Sequence, residues 1–273
     1  MPELPEITNL ARQINTHLTG KLIQAVDVSQ PKSLNLPVEE FRAALQGAQI
    51  TGAHNRGKWI FTATTRGWLL LNLGMGGELL LVTPDSLPAK RRLVFTFGDS
   101  TCLSVNFWWF GYAHHAAEGA LASHTMSARL GPNPLELTSD QLKERMKGKR
   151  GGLKAFLLDQ ENLAGIGNFY IHDILFLARL HPLRRLESLT DAEIEGLQRA
   201  IWSGLQPSLD KGGAFYEVDL FGKKGGFLME DILVGYREGQ PCPTCAAPIE
   251  KLKTGGTASF LCPQCQKMTP SSR

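Results

Sequence analysis

The sequence predicts an α+β protein of more than one domain, with strands in its first half and helices in its second. Short apolar runs with strand composition recur between residues 21 and 112. Helical periodicity follows from residue 138 to residue 209, and two Cys-x-x-Cys pairs lie near the carboxyl end. Strands and helices that are segregated along a chain are typical of α+β folds or of separate domains.

The first predicted element is a helix at residues 5–17, where Leu10, Ile14 and Leu18 share one face. Short strands follow it, and one helix at residues 37–46, which starts with a proline, interrupts them. A helix followed by many short strands predicts a β-sandwich or a barrel that carries the amino terminus on its edge. The predicted strands are Leu22–Val28, Trp59–Thr64, Trp68–Leu73, Glu78–Val82, Arg92–Phe97 and Thr101–Phe107.

Beyond residue 130 the pattern becomes helical, after a Gly-Pro-Asn-Pro linker at residues 131–134. Thr190 and Glu193 have the spacing of a capping box, so the last helix is expected to start there. Residues 211–239 are rich in glycine and lack periodicity, which predicts a mobile loop. The predicted helices are 138–147, 152–159, 167–178 and 190–209.

Four of the five cysteines form the two Cys-x-x-Cys pairs, with 16 residues between the pairs. This spacing can bring four thiolates around one tetrahedral Zn²⁺, and a site with four protein ligands is structural. Two disulfides are the poorer explanation in a chain without an export signal. Cys102 lies in an apolar run and is expected to be a core residue. The predicted zinc ligands are Cys242, Cys245, Cys262 and Cys265.

Net charge and hydropathy limit the classes of protein that the sequence fits. The net charge is +3 and the excess lies in residues 143–273, which is compatible with a nucleic-acid surface without establishing one. No window approaches the ~20 apolar residues of a membrane span, and the start does not have the pattern of a signal peptide. We therefore expect a cytoplasmic protein that does not associate with membranes.

The first residues suggest a nucleophile. If Met1 is removed, which a small second residue permits, Pro2 becomes a free secondary amine. An α-amino group titrates near ~8, so a useful fraction is unprotonated at neutral pH. Such an amine can attack C1′ of a deoxyribose and expel the base, with Glu3 beside it as an acid. A rigid proline-rich leader is the alternative, and this segment taken alone favours the leader.

Other motifs are weak individually but strong in combination. An Arg-Gly-Lys segment, a Leu-Gly-Met segment and a Gly-x-Gly-Asn segment could each be structural only: an ordinary basic turn, a plain loop and a helix cap without a ligand. In this order, the motifs resemble the formamidopyrimidine-DNA glycosylase/endonuclease VIII family, whose members are bifunctional base-excision repair enzymes, and the resemblance runs nearly end to end. The segments that carry it are residues 2–6, 56–58, 73–75, 130–135, 164–170, 236–243 and 262–266.

The resemblance implies a fold and a partner. The family has an N-terminal β-sandwich with an N-terminal helix, then a helix–two-turn–helix domain and a C-terminal zinc finger. The corresponding domains here would be residues 1–130, residues 131–235 with the mobile loop at 211–235, and residues 236–273. The implied partner is damaged double-stranded DNA, and the implied oligomeric state is a monomer.

The resemblance also assigns roles to residues. Pro2 would form the Schiff base, Glu3 would act as the acid, and Lys58 would contact phosphate near the lesion and assist catalysis. Glu6 would shape the lesion pocket, and Asn168 would bind backbone phosphate. A glycosylase must evert the damaged nucleotide and fill the gap that it leaves in the stack. Met75 and Phe110 would enter the duplex for this purpose.

One departure from the family pattern concerns base reading. Formamidopyrimidine glycosylases usually have Asp-Pro-Arg-Arg-Phe-Gly where residues 106–111 read Asn-Phe-Trp-Trp-Phe-Gly. Trp108 replaces the arginine that reads the base opposite the lesion, and an indole cannot make the bidentate contact of an arginine. We therefore expect a weakened preference for cytosine opposite the lesion. The alternative is that the Trp108 and Trp109 indoles pack inward and only reshape the loop.

A second departure lies in the zinc finger, where the family usually has a phosphate-binding arginine five residues before the third cysteine. This chain has Thr257 there, which brings no charge, so affinity and its salt dependence should both fall. Lys253 is a nearby residue that could restore the charge.

Three activities stay open at this point. A DNA glycosylase with AP-lyase activity, which cuts by β- or β,δ-elimination, is favoured because Pro2, Glu3 and Lys58 are all present. An enzyme that processes only abasic sites is the second. The third is a non-catalytic protein that binds damaged DNA, and it is disfavoured because binding alone does not require an N-terminal proline.

Overall fold

A computed structural model describes residues 1–108, 110–254 and 256–268. The chain divides into two compact units. The first unit is Met1–Arg129 together with Lys211–Gly226, and the second is Leu130–Asp210 together with Phe227–Arg273. Trp109 lies outside the described residues, so the inward-packing alternative is decided below for Trp108 alone.

The first unit contains two antiparallel four-stranded sheets, and the predicted β-sandwich is confirmed. One sheet has the strand order β1-β6-β7-β5 and the other has the order β2-β3-β4-β8. The elements are α1 (Leu4–Leu18), β1 (Ile23–Val28), α2 (Val38–Leu45), β2 (Ile50–Arg56), β3 (Trp59–Thr64), β4 (Gly67–Asn72), β5 (Glu78–Val82), β6 (Leu93–Phe97), β7 (Cys102–Asn106) and β8 (Tyr112–Ala116).

The core of the first unit joins α1 to both sheets. Leu10, Ile14 and Leu18 are at most 2 % exposed and belong to one apolar cluster with Phe95 and Leu71. Helical spacing puts the three α1 side chains on one face, so α1 can bury that face while its amino end stays available to the site. This packing fixes the position of the residues that open the helix.

Two strands of the first unit were not among the predicted runs. Strands β2 and β8 lie at the two edges of the second sheet. Their sequences, Ile-Thr-Gly-Ala-His-Asn-Arg and Tyr-Ala-His-His-Ala, lack the continuous apolar run of an inner strand. Edge strands face solvent on one side and tolerate polar residues, so composition alone does not reveal them.

The glycine-rich segment differs from the predicted domain boundary. Residues 211–226 pack with the first unit, whereas the sequence placed them with the helices. The Gln13 side chain of α1 accepts a hydrogen bond from the backbone N–H of Leu220 at 2.8 Å, and the N–H of Leu81 donates to the carbonyl of Leu220 at 2.8 Å. Leu220 is fully buried. One apolar residue and backbone hydrogen bonds therefore anchor this segment, and neither produces a periodic pattern.

The second unit contains the four predicted helices and a β-hairpin. The capping box at Thr190 is confirmed, because the N–H of Thr190 donates to the Glu193 carboxylate at 2.8 Å and the N–H of Glu193 donates to the Thr190 hydroxyl at 3.3 Å. None of the helices described is long and apolar enough to cross a membrane. The elements are α3 (Ser139–Met146), α4 (Leu153–Leu158), α5 (Ile171–Leu177), α6 (Asp191–Asp210), β9 (Glu250–Thr254) and β10 (Thr257–Leu261).

A buried carboxylate connects the helices to the segment that precedes the cysteines. Asp173 of α5 accepts backbone N–H groups from Leu233, Val234 and Gly235 at 2.8 to 3.0 Å. Burial raises the pKa of Asp173, and the three donors lower it. This carboxyl therefore fixes the backbone that leads into the cysteine-rich module.

Candidate active site

The amino terminus of α1 places two acidic side chains in the interior. Pro2 is buried, and Glu3 and Glu6 are 3 % and 4 % exposed. The backbone N–H of Glu3 donates to the Glu6 carboxylate at 2.8 Å, across the first turn of the helix. Such a bond satisfies a donor that the helix itself cannot pair. It also fixes the backbone of Glu3 relative to the helix that carries it.

Lys58 adds a buried cation to these carboxyls. It lies in the two-residue turn between β2 and β3, where Gly57 has a φ of 56°, and it is only 8 % exposed. Burial lowers the pKa of Lys58, and the negative charges of Glu3 and Glu6 oppose that shift. The structural alternative for the Arg-Gly-Lys motif was an ordinary basic turn, which would expose its lysine. The burial of Lys58 does not fit that alternative.

The segment 211–226 brings a further carboxyl to the site, Glu217, which the sequence did not single out. Its side chain is 12 % exposed, and its Oε1 lies 3.3 Å from the amino nitrogen of Met1. Burial raises the pKa of Glu217 to about 7, and the charges of Glu6 and Glu3 act in the same direction while the terminal ammonium opposes them. A lone glutamate in a glycine-rich stretch has no spacing that would have revealed this position.

The site therefore combines an amino terminus, three carboxyls and one lysine in a poorly solvated environment. Buried ionisable groups whose pKa values are shifted are typical of acid–base chemistry. A carboxyl with a pKa near 7 can take up and release a proton at neutral pH. Such a set of groups fits proton transfer around an amine nucleophile.

The predicted wedge residue Met75 lies in an exposed turn next to the site. Its side chain is 54 % exposed, and the turn lies between β4 and β5. Asn72 connects this turn to the lysine turn, because its amide donates to the carbonyl of Lys58 at 3.2 Å and its oxygen accepts the N–H of Gly74 at 3.1 Å. The position of the exposed methionine is thus coupled to that of the buried lysine.

Trp108 lies beside the methionine turn and faces outward. Its backbone N–H donates to the carbonyl of Met75 at 3.3 Å, and its indole is 60 % exposed. Phe110 is 73 % exposed and has a φ of 57°. For Trp108, the alternative that the indole packs inward is therefore wrong. Met75, Trp108 and Phe110 therefore form an exposed apolar cluster, and such clusters are typical of interaction surfaces.

Asn168 of the second unit lies in the turn that precedes α5. Its amide nitrogen donates to the hydroxyl of Tyr236 at 3.4 Å. Its Oδ1 is buried and has no hydrogen-bond partner among the described residues. Tyr236 opens the motif at residues 236–243, for which the sequence assigned it no role; it has a φ of 59° and stacks on Phe169 with 5.9 Å between ring centroids. The predicted phosphate-binding residue is therefore held by an aromatic group from the start of the cysteine module.

The four predicted metal ligands lie together. All of their Sγ atoms are within 4.8 Å of one another, and the cysteines are free thiols. Individual Sγ separations are 3.4 Å for Cys245 and Cys262, 3.9 Å for Cys242 and Cys265, and 3.6 Å for Cys245 and Cys265. A tetrahedral Zn²⁺ with Zn–S bonds of about 2.3 Å separates its sulfurs by about 3.8 Å. The cluster therefore fits one structural zinc ion.

A buried lysine supports the hairpin that carries Thr257. Lys154 of α4 is 4 % exposed, and its ammonium donates to the Thr257 hydroxyl at 3.1 Å and to the carbonyl of Ala258 at 2.7 Å. Burial lowers the pKa of Lys154 to about 8. Lys253, the residue suggested by the sequence, is exposed. The positive charge that contacts Thr257 thus comes from a helix rather than from the hairpin itself.

Family comparisons agree with this arrangement. Residues 1–106 match the formamidopyrimidine-DNA glycosylase N-terminal domain, and residues 130–218 match the H2TH domain of the same glycosylase. Residues 239–267 match a zinc finger found in FPG and IleRS. The helix–two-turn–helix domain and the zinc finger that the resemblance implied are therefore both confirmed.

Individual proteins are similar over almost their whole length. The formamidopyrimidine-DNA glycosylase of Bacillus cereus is 35 % identical over 97 % of this chain and 99 % of its own. That of Chloroflexus aurantiacus is 34 % identical over 97 % and 98 %. The Lactococcus lactis Fpg in complex with DNA containing N7-benzyl-Fapy-dG has a TM-score of 0.91 at 26 % identity, over 98 % of this chain and 100 % of its own. The same protein in complex with DNA containing an abasic site has a TM-score of 0.90 at 26 % identity, over 97 % and 100 %.

Proposed function

The chain belongs to the formamidopyrimidine-DNA glycosylase family, and we propose that it removes oxidised or otherwise damaged bases from double-stranded DNA and then cuts the strand. It is a base-excision repair enzyme, a DNA glycosylase with AP-lyase activity. The observation that carries the assignment of the reacting groups is the burial of Pro2 and Glu3 at the start of α1 and of Lys58 in the β2–β3 turn.

Pro2, freed by removal of Met1, is the proposed nucleophile. Its amine attacks C1′, the C1′–N bond to the damaged base breaks, and opening of the sugar ring leaves an iminium between Pro2 and C1′. Glu3 is the proposed acid, which protonates the departing base or the ring oxygen. β- and δ-elimination from the iminium then cut the strand. Lys58 is proposed to contact a phosphate near the lesion, and Glu6 to shape the lesion pocket.

The exposed apolar cluster is proposed to enter the duplex. Met75 and Phe110 would fill the gap left by the everted nucleotide, and Trp108 would stack on the base opposite the lesion. An indole stacks on any base but cannot form two directed hydrogen bonds with one, so this surface supports a weak preference for the opposite base. Asn168 is proposed to bind a backbone phosphate through its amide.

The zinc ion has a structural role. When bound, it links the two cysteine pairs and thereby stabilises the β9–β10 hairpin. All four ligands come from the protein, which leaves no open position for a substrate. We propose that Thr257 replaces a charged phosphate contact in this hairpin, and the Lys154 ammonium that contacts it supports a partial compensation.

Borohydride trapping tests the proposal, because reduction fixes an iminium as a covalent protein–DNA adduct. Protein that lacks Met1 is incubated with duplexes that contain 8-oxoguanine, formamidopyrimidine, thymine glycol or an abasic site. We expect an adduct with at least one damaged base, and we expect Pro2→Gly and Glu3→Gln to reduce its yield. Asp85→Asn, an exposed change in the same unit, is the matched control.

The other two activities predict different results. An adduct with the abasic site alone would leave an AP lyase that needs no base pocket. No adduct with any duplex would favour a protein that binds damaged DNA without catalysis.

We also propose that the protein acts as a monomer in the bacterial cytoplasm, where its DNA substrate is found. The bacterial origin of its relatives supports the location. Light scattering of the free protein and of its complex with a lesion duplex would test the monomer, and a dimer mass in either sample would contradict it.

A further inference from the structure

We propose that Glu217 is the proton acceptor for the amino-terminal amine during formation of the Schiff base. This inference rests on the proposed function, because it assigns a group to a step of that reaction. Its basis is the contact between the Glu217 carboxylate and the terminal amine, with 3.3 Å between Oε1 and the Met1 nitrogen.

The segment that carries Glu217 is fixed against α1. The N–H of Ala214 donates to Glu6 Oε1 at 2.9 Å, and the Asn9 amide donates to the carbonyl of Gly212 at 3.3 Å. Gly213 lies so close that a Cβ there would be 2.9 Å from the Cγ of Glu6, and its φ of 105° favours glycine. These contacts fix the segment against α1, so the Glu217 carboxyl near the amine does not lie on a free loop.

Three charged groups act on Glu217 in the part of the chain that the structure describes. The terminal ammonium is its opposite charge, and Glu3 and Glu6 are the like charges from α1. Lys58, from the β2–β3 turn, acts on those two carboxyls. Glu217 is thus the carboxyl that pairs with the amine. Glu6 instead accepts backbone donors from Glu3 and Ala214.

Removal of Met1 makes Pro2 the terminal amine, and the hydrogen bonds that anchor the site do not involve Met1. Pro2 is buried and lies directly before Glu3, whose N–H is bonded to Glu6. The new amine therefore starts at the peptide bond that Met1 formed, next to the position that Glu217 already faces. The carboxylate that pairs with the ammonium of Met1 is thereby available to the ammonium of Pro2.

The proton balance of the reaction requires such an acceptor. When the neutral amine of Pro2 attacks C1′ and the base leaves, the nitrogen becomes a cation that still carries its proton. The Glu217 carboxylate takes that proton, and the nitrogen lone pair then forms the C=N bond while the C1′–O4′ bond breaks. O4′ receives a proton from Glu3. One carboxyl has gained a proton and the other has lost one.

The test is the single-turnover rate of borohydride trapping on abasic-site DNA between pH 5.5 and pH 9, with protein that lacks Met1. An abasic site requires no base removal, so the rate reports Schiff-base formation. For the wild type we expect the rate to rise through the pH at which Glu217 ionises. Glu217→Gln should lower the rate at pH 7 by about 100-fold or more and abolish that inflection. In the variant the proton of the attacking nitrogen can pass only to solvent, so its rate should rise only gradually toward pH 9 as the hydroxide concentration rises.

Two further variants complete the design. Asp85→Asn removes one exposed negative charge from the same unit and should match the wild type at every pH. Glu217→Asp keeps the charge but withdraws it by one methylene, so it should be slower than the wild type and retain the inflection. If Glu217→Gln does not fold, the comparison of the wild type with Glu217→Asp still tests the role of Glu217.

The outcomes separate this inference from the proposed function. An adduct from the wild type, with unchanged rates and pH profiles in both Glu217 variants, would overturn the role of Glu217 and leave the glycosylase intact. No adduct from the wild type with any DNA would overturn both.

Discussion

Lys58 is the cation that accompanies two buried carboxyls at the start of α1. Glu3 and Glu6 are almost completely enclosed, and a buried charge is costly unless it is paired. Lys58 is itself buried, and burial lowers its pKa, which shows that the three groups share one poorly solvated region. An exposed lysine could not stabilise the pair to the same extent, because water would screen it.

Replacement of this lysine should therefore affect both stability and activity. In Lys58→Met, the two carboxyls lose their opposite charge, and we expect the free energy of unfolding at pH 7.5 to fall by about 3 kcal/mol. Urea denaturation at this pH checks the loss. The matched control is Lys32→Met, at an exposed lysine, and an equal loss in both variants would contradict the interpretation.

Trp108 governs the expected choice of the opposite base. In Trp108→Arg, the guanidinium can form directed hydrogen bonds that an indole cannot, and a good bidentate contact discriminates between bases by about 1–3 kcal/mol. We expect the ratio of excision rates opposite cytosine and opposite adenine to rise by about 5-fold or more. Trp202→Arg, at an exposed indole of α6, is the control. An unchanged ratio in Trp108→Arg would show that this position does not read the opposite base.

The sequence and the structure identify different residues of the candidate site. Pro2, Glu3 and Lys58 belong to short motifs that can be recognised in order along the chain. Glu217 belongs to no such motif, and Tyr236 opens the motif at residues 236–243 without a role that the motif itself indicates. Each becomes relevant through a partner distant in sequence. The Met1 nitrogen and the Asn168 amide are those partners, and only the fold brings them into contact.

Strand β8 carries one member of a buried histidine pair, His114, and the other member, His124, follows the strand in the chain. His114 Nδ1 and His124 Nε2 are 2.8 Å apart, and both side chains are less than 9 % exposed. Burial and the neighbouring His124 lower the pKa of His114 to about 4, and burial also lowers that of His124. A hydrogen bond between two neutral imidazoles satisfies both rings in a site that disfavours their charged forms.

The first unit should therefore lose stability on acidification. Between pH 6.5 and about 4, the native state binds fewer protons at these histidines than the unfolded chain does, so stability falls as the pH drops. The contribution of His114 amounts to at most about 3 kcal/mol over this window. Urea denaturation at pH 7.5 and pH 5, followed by tryptophan fluorescence, measures the slope. His114→Asn retains a polar atom near Nδ1 but does not titrate, and an equally steep slope in that variant would contradict the assignment.

Strands and helices could be predicted from the sequence where they are buried and where residues close in sequence define them. Strands β3 and β5 start and end at the predicted residues. The predicted helix at 167–178 starts instead at Ile171, since the turn around Gly165 and Asn168 precedes it. Helix boundaries depend on such turns, and their geometry depends on contacts rather than on periodicity.

At the scale of the whole molecule, the zinc site should decide DNA binding but not the stability of the sandwich. Cys262→Ser removes one of four ligands, so we expect the zinc content to fall from one ion per chain and DNA affinity to fall with it. The urea transition of the first unit should be unchanged. Cys102→Ser is the control, because Cys102 lies in β7 and is not in the cluster. Retained zinc and DNA affinity in Cys262→Ser would contradict a structural metal at this site.

The β-sandwich, the helical domain and the zinc finger were all predictable, because each has its own pattern of apolar runs, helical periodicity or cysteine spacing. The position of residues 211–226 was not predictable. Fully buried Leu220 and the hydrogen bonds to Gln13 hold this segment in the first unit. Single anchors of this kind leave no periodic signal, although here they place Glu217 in the site.

The amine of Pro2 is the proposed nucleophile, on which the other proposed roles in the site depend. Peptide mapping by mass spectrometry of the borohydride-reduced adduct tests it most directly, with abasic-site DNA and protein as isolated from a bacterial host. We expect Met1 to be absent and the sugar remnant to be attached to the nitrogen of Pro2. A remnant on Lys58 or another lysine, or an adduct that retains Met1 with Pro2 unmodified, would contradict it.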